Sequence, residues 1–467
     1  MSCAGGQLIT DILGAYGIET VFSVAGASHT YLLDPLDQAG VSIVSNRHET
    51  GAVGAADGYA RVKGSPGVAL IVADQGLPNA VGGLAVAWHA ASPVVVLVAS
   101  PPRPLTEADR GIDVDKLALV SPVTKWARTV PSIERLAEYL HTALKHASQG
   151  RPGPVVLLVP EDQLQASVAP DGATAWTTAA RPVADSQAIA AAAKLIVAAE
   201  RPMIIAGGGT AWSGANEPLR EIATSLGIPV LGNSLGRGQV PEDNDVSFSW
   251  PYAQIAADQA DVVVVVGARL TQRLGLGLPP RFAADAKFIQ IDIDAGAFHR
   301  NRPVDLAIQA DATQALNALL AALHDLHTPE FSRAWLHTGL QPRAERIAEL
   351  LGAKSDAIHP LQLGDELMAR LPEDAQLVGD GADIQTWMYG VVRVRRPRGF
   401  LDHYPMGAMG SGTALAVGAA AAHREVSGAA APVTVLITGD GAFGFHPAEI
   451  HAAVRAQLNL KIIIGND

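Results

Sequence analysis

A single cysteine, Cys3, is the only thiol in this chain of 467 residues. Its isolation excludes an intramolecular disulfide and a cysteine-based zinc cluster, and it suits a reducing cytoplasm, the expected location. Basic charge is also scarce. Lys and Arg number 34 against 46 Asp and Glu, giving a net charge of −12. That balance argues against nucleic acid or an anionic membrane as the main partner. No apolar run is long enough to span a bilayer. The opening "MSCAGGQLITDILGAYGIET" lacks a basic n-region and reads as an amphipathic helix, so no signal peptide is expected. With no global basic field, a phosphorylated ligand would need backbone N–H groups or a metal ion to hold it. What the chain does have is apolar residues, 48%, with abundant Gly and Ala. This is a core-rich composition, and the length calls for roughly two to four domains.

Short β-branched runs alternate with Ala/Leu-rich helical patterns from end to end, among them "VALIVAD", "VVVLVAS", "VVVVVGA", "FIQIDID", "VTVLIT" and "KIIIGN". Strands apolar on both faces belong in parallel sheets covered by helices. Composition shifts at 165–185 and 351–360 read as linkers and divide the chain into 1–165, 186–350 and 358–467. The fold class is therefore α/β, with three doubly wound parallel-sheet domains. The third holds only three clear strands and is expected to be incomplete. There is also an internal repeat. When "VALIVADQGLPNAVGGLAVAWHAASPVVVLVAS" is set under "VTVLITGDGAFGFHPAEIHAAVRAQLNLKIIIGND", Asp74 falls on Asp440 and Ser100 on Asn466. Each copy reads strand, Gly turn, helix, strand. Any two βαβ units share that outline, but the matched Asp turn points to a duplication of the first and third domains.

The final stretch suggests the chemistry. Neighbouring parallel strands of a βαβ unit end at one edge of the sheet, where ligands bind in such folds. Asp440 and Asn466 follow two such strands. A carboxylate and an amide carbonyl are hard oxygen ligands suited to Mg²⁺ or Ca²⁺. Gly439 and Gly441 allow close approach of an anion, and Ala442 and Phe443 open a helix. The stretch reads as a metal–diphosphate clamp, against the plainer reading of an Asp-Gly turn and a terminal Asn.

With these residues in place, the chain resembles the thiamin-diphosphate-dependent enzymes, in the branch with acetohydroxyacid synthase, pyruvate oxidase and benzaldehyde lyase. The resemblance covers the whole chain. It is carried by "NRHETGAVGAADGYAR", "GIDVDKLALVSPVTKWA", "GDGADIQTW", "YPMGAMGSGTALAVGA" and the metal motif. The wording is closest to benzaldehyde lyase. It implies pyrimidine-binding, central and diphosphate-binding domains in that order, with thiamin diphosphate and Mg²⁺ as cofactors. It implies that Glu49 bonds the cofactor's aminopyrimidine; the plain structural reading is a helix-terminal acid. Met409 would wedge the bent cofactor, although a methionine is more often core. Gly407 would offer its carbonyl to the 4′-amine. Asp380, Gly381 and Ala382 would lie at the diphosphate with Gly439, Gly441 and Ala442, and Asn79 near the pyrimidine. His29 follows the first strand on a cofactor-facing loop, where a gapless count puts Ser28 in the family histidine's place. Either side chain would orient a carbonyl or shuttle a proton, and a surface role for His29 is the alternative. His403 would touch substrate, His48 reads as structural, and His446 and His451 read as helix residues.

There are departures. The family's substrate-loop glutamine is Gly111 here, its "PGG" proline is Ala25, and the family chain continues past "ND" to a third metal ligand. The Gly-rich turns in "IIAGGGTAWSG" and "VVVVVGARLTQRLGLG" read as structural, leaving FAD disfavoured but open. The function expected is a C–C lyase or carboligase acting on 2-hydroxyketones or 2-keto acids, benzaldehyde-lyase-like. The alternatives are an acetolactate-synthase-like decarboxylase and carboligase, and a non-catalytic homologue of the same fold. Duplicated domains imply a homodimer or homotetramer with shared active sites and a small carbonyl compound as substrate.

Overall fold

The computed structural model describes residues 2–466 apart from 107, 109, 111, 112, 171, 250–255 and 355. Gly111 and Asp467 therefore lie outside the described residues. The chain forms two compact units. One comprises Met1–Ala179, Gln376–Gly381 and Asp402–Asp467; the other comprises Ala180–Ala375 and Ala382–Leu401.

The first unit holds both copies of the repeat. In the amino-terminal copy, six parallel strands run in the spatial order Ser42–Ser45, Thr20–Ser23, Gly67–Val72, Val94–Ser100, Val155–Pro160 and Trp126–Thr129. The two central strands, Gly67–Val72 and Val94–Ser100, are buried almost throughout, as their unbroken apolar runs require. In the carboxy-terminal copy, Gln376–Gly379, Thr434–Gly439 and Leu460–Gly465 run side by side and parallel.

The two copies meet through the helices Glu49–Lys63 and Ser411–Ser427, each of which precedes the strand that leads to the Asp74 or the Asp440 turn. Both are dense in Gly and Ala, so their backbones approach closely. A Cβ added at Gly58 would collide with the Leu415 carbonyl, and one at Gly418 with the Ala55 carbonyl. Two larger groups sit in this core. Arg61 is fully buried and forks onto Asp57 at 2.7 and 2.5 Å. Glu425 takes hydrogen bonds from Tyr59 and Thr20 and pairs with Lys63. The stretch read as the first linker is partly tied down. Ser167–Val168 pairs antiparallel with Cys3–Ala4, and Trp176 stacks on His141 at 4.9 Å.

The second unit is a six-stranded parallel sheet in the order Ser247–Ser249, Val230–Gly232, Pro202–Ala206, Val262–Val266, Lys287–Asp292 and Leu306–Gln309. Its helices Ser186–Val197 and Ala312–Asp325 are capped by Asp185 and Asp311, whose carboxylates accept first-turn N–H groups. The second linker shrinks to a short connection, because helix Ala334–Gly352 fills its start and helix Pro360–Arg370 begins at its end.

Candidate active site

All the site residues described next lie in the first unit, except Ala382. Asp440 and Asn466 are placed by strand register. Gly439 pairs with Gly465, the last residues of adjacent parallel strands, so the next residue of each strand is the candidate ligand. Adjacent strands lie about 4.8 Å apart, so the two side chains leave the sheet edge side by side. Both are exposed, and a Cβ added at Gly441 would meet nothing within 4 Å. Open space and two hard oxygen donors fit a hydrated divalent cation that completes its shell with phosphate oxygens. Among the described residues no group of three or more His, Cys, Asp and Glu is placed to hold a metal by side chains alone. The helix after Gly439 is a single turn, Asp440–Phe443, so any anion there meets the N–H groups of a turn rather than the dipole of a long helix.

Glu49 opens helix Glu49–Lys63 and is buried to 9% exposure. Its N-cap is His48, whose Nδ1 accepts from the Thr50 N–H at 3.1 Å. The Glu49 carboxylate faces the next helix of the same copy. Asn79 Nδ2 donates to Oε2 at 3.1 Å, and Thr50 Oγ1 donates to the Asn79 carbonyl at 2.5 Å. The structure thus brings together Glu49 and Asn79, which the sequence reading had singled out separately.

A residue the sequence reading missed fixes this corner. Glu449 is fully buried; its Oε1 accepts from the N–H groups of Arg47 and His48, both at 3.0 Å, and its Oε2 from Asn46 Nδ2 at 2.8 Å. The only signal in the sequence is an acid opening the small-residue stretch "EIHAAV". Nearby, His446 lies in the bend before that helix, with Nδ1 3.0 Å from the Gly410 carbonyl and its ring 5.6 Å from that of His48. His451 lies within the helix and accepts from Arg47 Nε at 3.1 Å.

His29 and Ser28 sit in the short helical turn Ala27–His29. Ser28 is half-buried, whereas His29 is fully buried and accepts from the Gly26 N–H at 3.1 Å through Nδ1. Burial pushes the His29 pKa down to about 4, against the opposite pull of the Ile71 and Gly26 backbone groups. Its ring is therefore neutral at neutral pH and closed to solvent, so a surface role is replaced by a core one.

Asp380 and His403 are buried too, and they touch each other: His403 Nδ1 lies 2.8 Å from Asp380 Oδ1. Between His403 and the next helix, Gly407 is left-handed at φ +79°, and Met409 is 47% exposed. Gly381 packs against Gly439, whose N lies 3.2 Å from a Cβ built there. Ala442 is buried beside it. Ala382 belongs to the second unit and accepts from Thr386 Oγ1 at 2.7 Å.

In the second unit, the glycine-rich turns stand where the strand order reverses, after Pro202–Ala206 and Val262–Val266. Three of their N–H groups are spent on the protein: Gly207 donates to the Val266 carbonyl at 2.9 Å, Gly209 to the Gly267 carbonyl at 3.0 Å, and Gly267 to the Ile291 carbonyl at 2.9 Å.

An exposed acid–amide pair at register-matched strand ends, with a buried glutamate that opens a helix of the companion copy and is bonded by Asn79 of the next helix, is the layout of a thiamin-diphosphate enzyme. Three family models match in order: the thiamine pyrophosphate enzyme N-terminal TPP binding domain over residues 3–119, the central domain over 189–319 and the C-terminal TPP binding domain over 380–467. The chain belongs to the thiamine pyrophosphate enzyme family.

Within that family the chain is similar to a probable acetolactate synthase large subunit from Methanocaldococcus jannaschii, 32% identical over 98% of this chain and 79% of the relative. It is similar to the acetolactate synthase isozyme 2 large subunit of Escherichia coli, 32% identical over 98% of this chain and 82% of the relative. Oxalyl-CoA decarboxylase of Escherichia coli is also 32% identical, over 99% of this chain and 82% of the relative. These names favour the acetolactate-synthase-like alternative over the benzaldehyde-lyase-like reading that the local wording had suggested. The motif wording concerned a few short segments, whereas these identities run along nearly the whole chain.

Proposed function

We propose that this enzyme removes CO₂ from a substrate whose carboxylate adjoins a carbonyl, and passes the remaining acyl unit to a second carbonyl compound, as an acetolactate synthase does. The reading is carried by the parallel pairing of Gly439 with Gly465, which sets Asp440 and Asn466 at adjoining strand ends. Thiamin diphosphate, when bound, supplies the electron sink for the carbon that loses CO₂. The chain's own residues do the rest. Asp440 and Asn466 would hold Mg²⁺, which would supply the countercharge for the diphosphate. Gly381, Gly439, Gly441 and Ala442 leave the edge low enough for that diphosphate to approach. Gly407 and Met409 face the cofactor's middle. Glu49 would hydrogen-bond the pyrimidine and serve as its proton partner, with Asn79 holding the carboxylate in place. Ser28 is the half-buried polar group of its turn and would orient the substrate carbonyl, while His29 behind it packs the turn.

Two copies of the chain would share each site, Glu49 from one protomer meeting the pyrimidine of a cofactor whose diphosphate the partner's cation site would hold. The Gly-rich turns of the second unit are structural in this proposal, since the N–H groups named above are already bonded; FAD is not required. Among the described residues no helix is long and apolar enough to cross a membrane.

A second reading draws on the similarity to oxalyl-CoA decarboxylase. It shares the decarboxylation and ends in proton transfer instead of carboligation. One panel separates the two. Purified protein with thiamin diphosphate and Mg²⁺ is given pyruvate, oxalyl-CoA or benzoin, and CO₂ and products are followed. Acetolactate from pyruvate supports the first reading and formyl-CoA from oxalyl-CoA the second. Cleavage of benzoin without CO₂ release from either acid would refute both.

A further inference from the structure

Asp380 directly follows the strand Gln376–Gly379 and is fully buried, yet its carboxylate has no lack of partners. Oδ1 accepts from the Gly381 N–H at 2.7 Å and the Gly410 N–H at 3.2 Å, and His403 Nδ1 donates to it at 2.8 Å. Oδ2 accepts from the Gly412 N–H at 2.7 Å. Gly410 is the cap and Gly412 the second residue of helix Ser411–Ser427, so these two N–H groups have no partner inside the helix. The carboxylate supplies that partner and places negative charge at the positive end of a 17-residue helix. The fit leaves no slack, because a Cβ on Gly412 would collide with that of Asp380.

The same carboxylate therefore holds both ends of one loop. His403 is the entry, Gly410 and Gly412 are the exit, and Gly407 and Met409 lie between. Just before the entry a second buried pair adds a tether. Arg61, forked onto Asp57, donates from Nη1 to the Asp402 carbonyl at 2.7 Å. Met406 and Met409, at 44% and 47% exposure, stand out from the tethered loop.

We propose that Asp380 and His403 are positioning residues that set the height of the Gly407–Met409 ledge against the cofactor, and that the Asp380 carboxylate does not touch the diphosphate. The inference rests on the thiamin-diphosphate reading of the site. A carboxylate already engaged by four donors has no free face for an anion, and bringing a diphosphate against it would set like charges together in a dry interior. Breaking the clasp is expected to leave the cation site at Asp440 and Asn466 in place while letting the ledge move.

The test uses the full chain and the variants Asp380→Asn and His403→Gln. Amide hydrogen exchange of peptides covering 403–412 is measured without cofactor, and thiamin diphosphate affinity is measured by calorimetry in excess Mg²⁺. Asp380→Asn is expected to speed exchange in this segment by about tenfold or more, and to weaken cofactor binding by about 10- to 100-fold, the usual cost of a lost outer partner. The Mg²⁺ concentration for half-maximal binding is expected to stay unchanged. His403→Gln shifts both readouts in the same direction by less, and decides the matter if Asp380→Asn does not fold. Exchange and affinity at the unmodified protein's values, in a folded variant, would overturn the proposal. A direct ligand role predicts the reverse pattern, weakened binding with unaltered exchange, and would overturn it as well. If the unmodified protein does not bind thiamin diphosphate, the functional reading fails, and exchange alone then decides whether the clasp exists.

Discussion

Glu449 reaches from the diphosphate-side copy to the backbone that carries Glu49: its Oε1 accepts from the His48 N–H at 3.0 Å, one residue before the proposed catalytic acid. Its three donors are Asn46 Nδ2 and the N–H groups of Arg47 and His48. Glu449→Ala leaves the buried Asn46 amide unpaired, which typically costs about 1–3 kcal/mol, and frees the part-buried N–H groups of Arg47 and His48. The expected outcome is a lower urea midpoint, and a loss of activity larger than the loss of folded protein explains, because the Glu49 turn is released. Glu449→Gln, which keeps acceptor capacity on one atom only, falls between.

Glu49→Gln retains the side chain's shape and its contact with Asn79 but not the ionisable group. Activity is expected to drop by about 10²–10⁴-fold with an unchanged urea midpoint, the scale of a lost acid–base group. Steady-state kinetics with matched circular dichroism spectra check it. Activity near the parent's would refute the assigned role.

Removal of the divalent ion by a chelator is expected to abolish thiamin diphosphate binding, with full recovery on adding Mg²⁺. Asp440→Asn keeps one carbonyl oxygen and loses the charge, so the Mg²⁺ requirement should rise well above the parent's. Asn466→Asp is expected to keep or tighten metal binding, since it exchanges one hard oxygen donor for a charged one. Calorimetric titration of Mg²⁺ at fixed cofactor distinguishes the three proteins.

Stability is expected to depend on pH through His29. In the folded chain its pKa lies at about 4, against an ordinary value of 6.5. Between these values the unfolded chain holds the proton and the folded chain does not, so the unfolded state binds more protons and unfolding becomes easier as pH falls. The contribution is complete above pH 6.5, declines as pH falls towards 4, and amounts to at most about 3 kcal/mol. His29→Asn should flatten that part of the profile, measured as urea midpoints from pH 7 down to pH 4.

The frame of this enzyme was legible in its apolar runs because strand length and position follow from local pattern. "VTVLITGDG" and "KIIIGND" became neighbouring strands, and the repeat's register carried Asp440 and Asn466 to one edge. Burial was less legible. His29 sits next to half-buried Ser28 in a short loop, and only the packed fold shows which of the two is enclosed. The resemblance set Asp380 at the diphosphate. The partners its carboxylate finds in the fold, His403, Gly410 and Gly412, come from the distant "HYPMGAMGSG" segment and carry no periodic signal. Glu449 was silent for the same reason. The Asp57–Arg61 pair, by contrast, was within reach of pattern reading, since its spacing of four on a helix brings the charges together.

The crossing of Glu49–Lys63 over Ser411–Ser427 has a consequence for engineering. Each helix is a mould of the other, dented where Gly58 and Gly418 admit a facing carbonyl. A domain transplanted from a relative would bring one half of that mould without its counterpart. Chimaeras of this enzyme should therefore be cut so that both helices travel together, even though more than three hundred residues separate them in the chain.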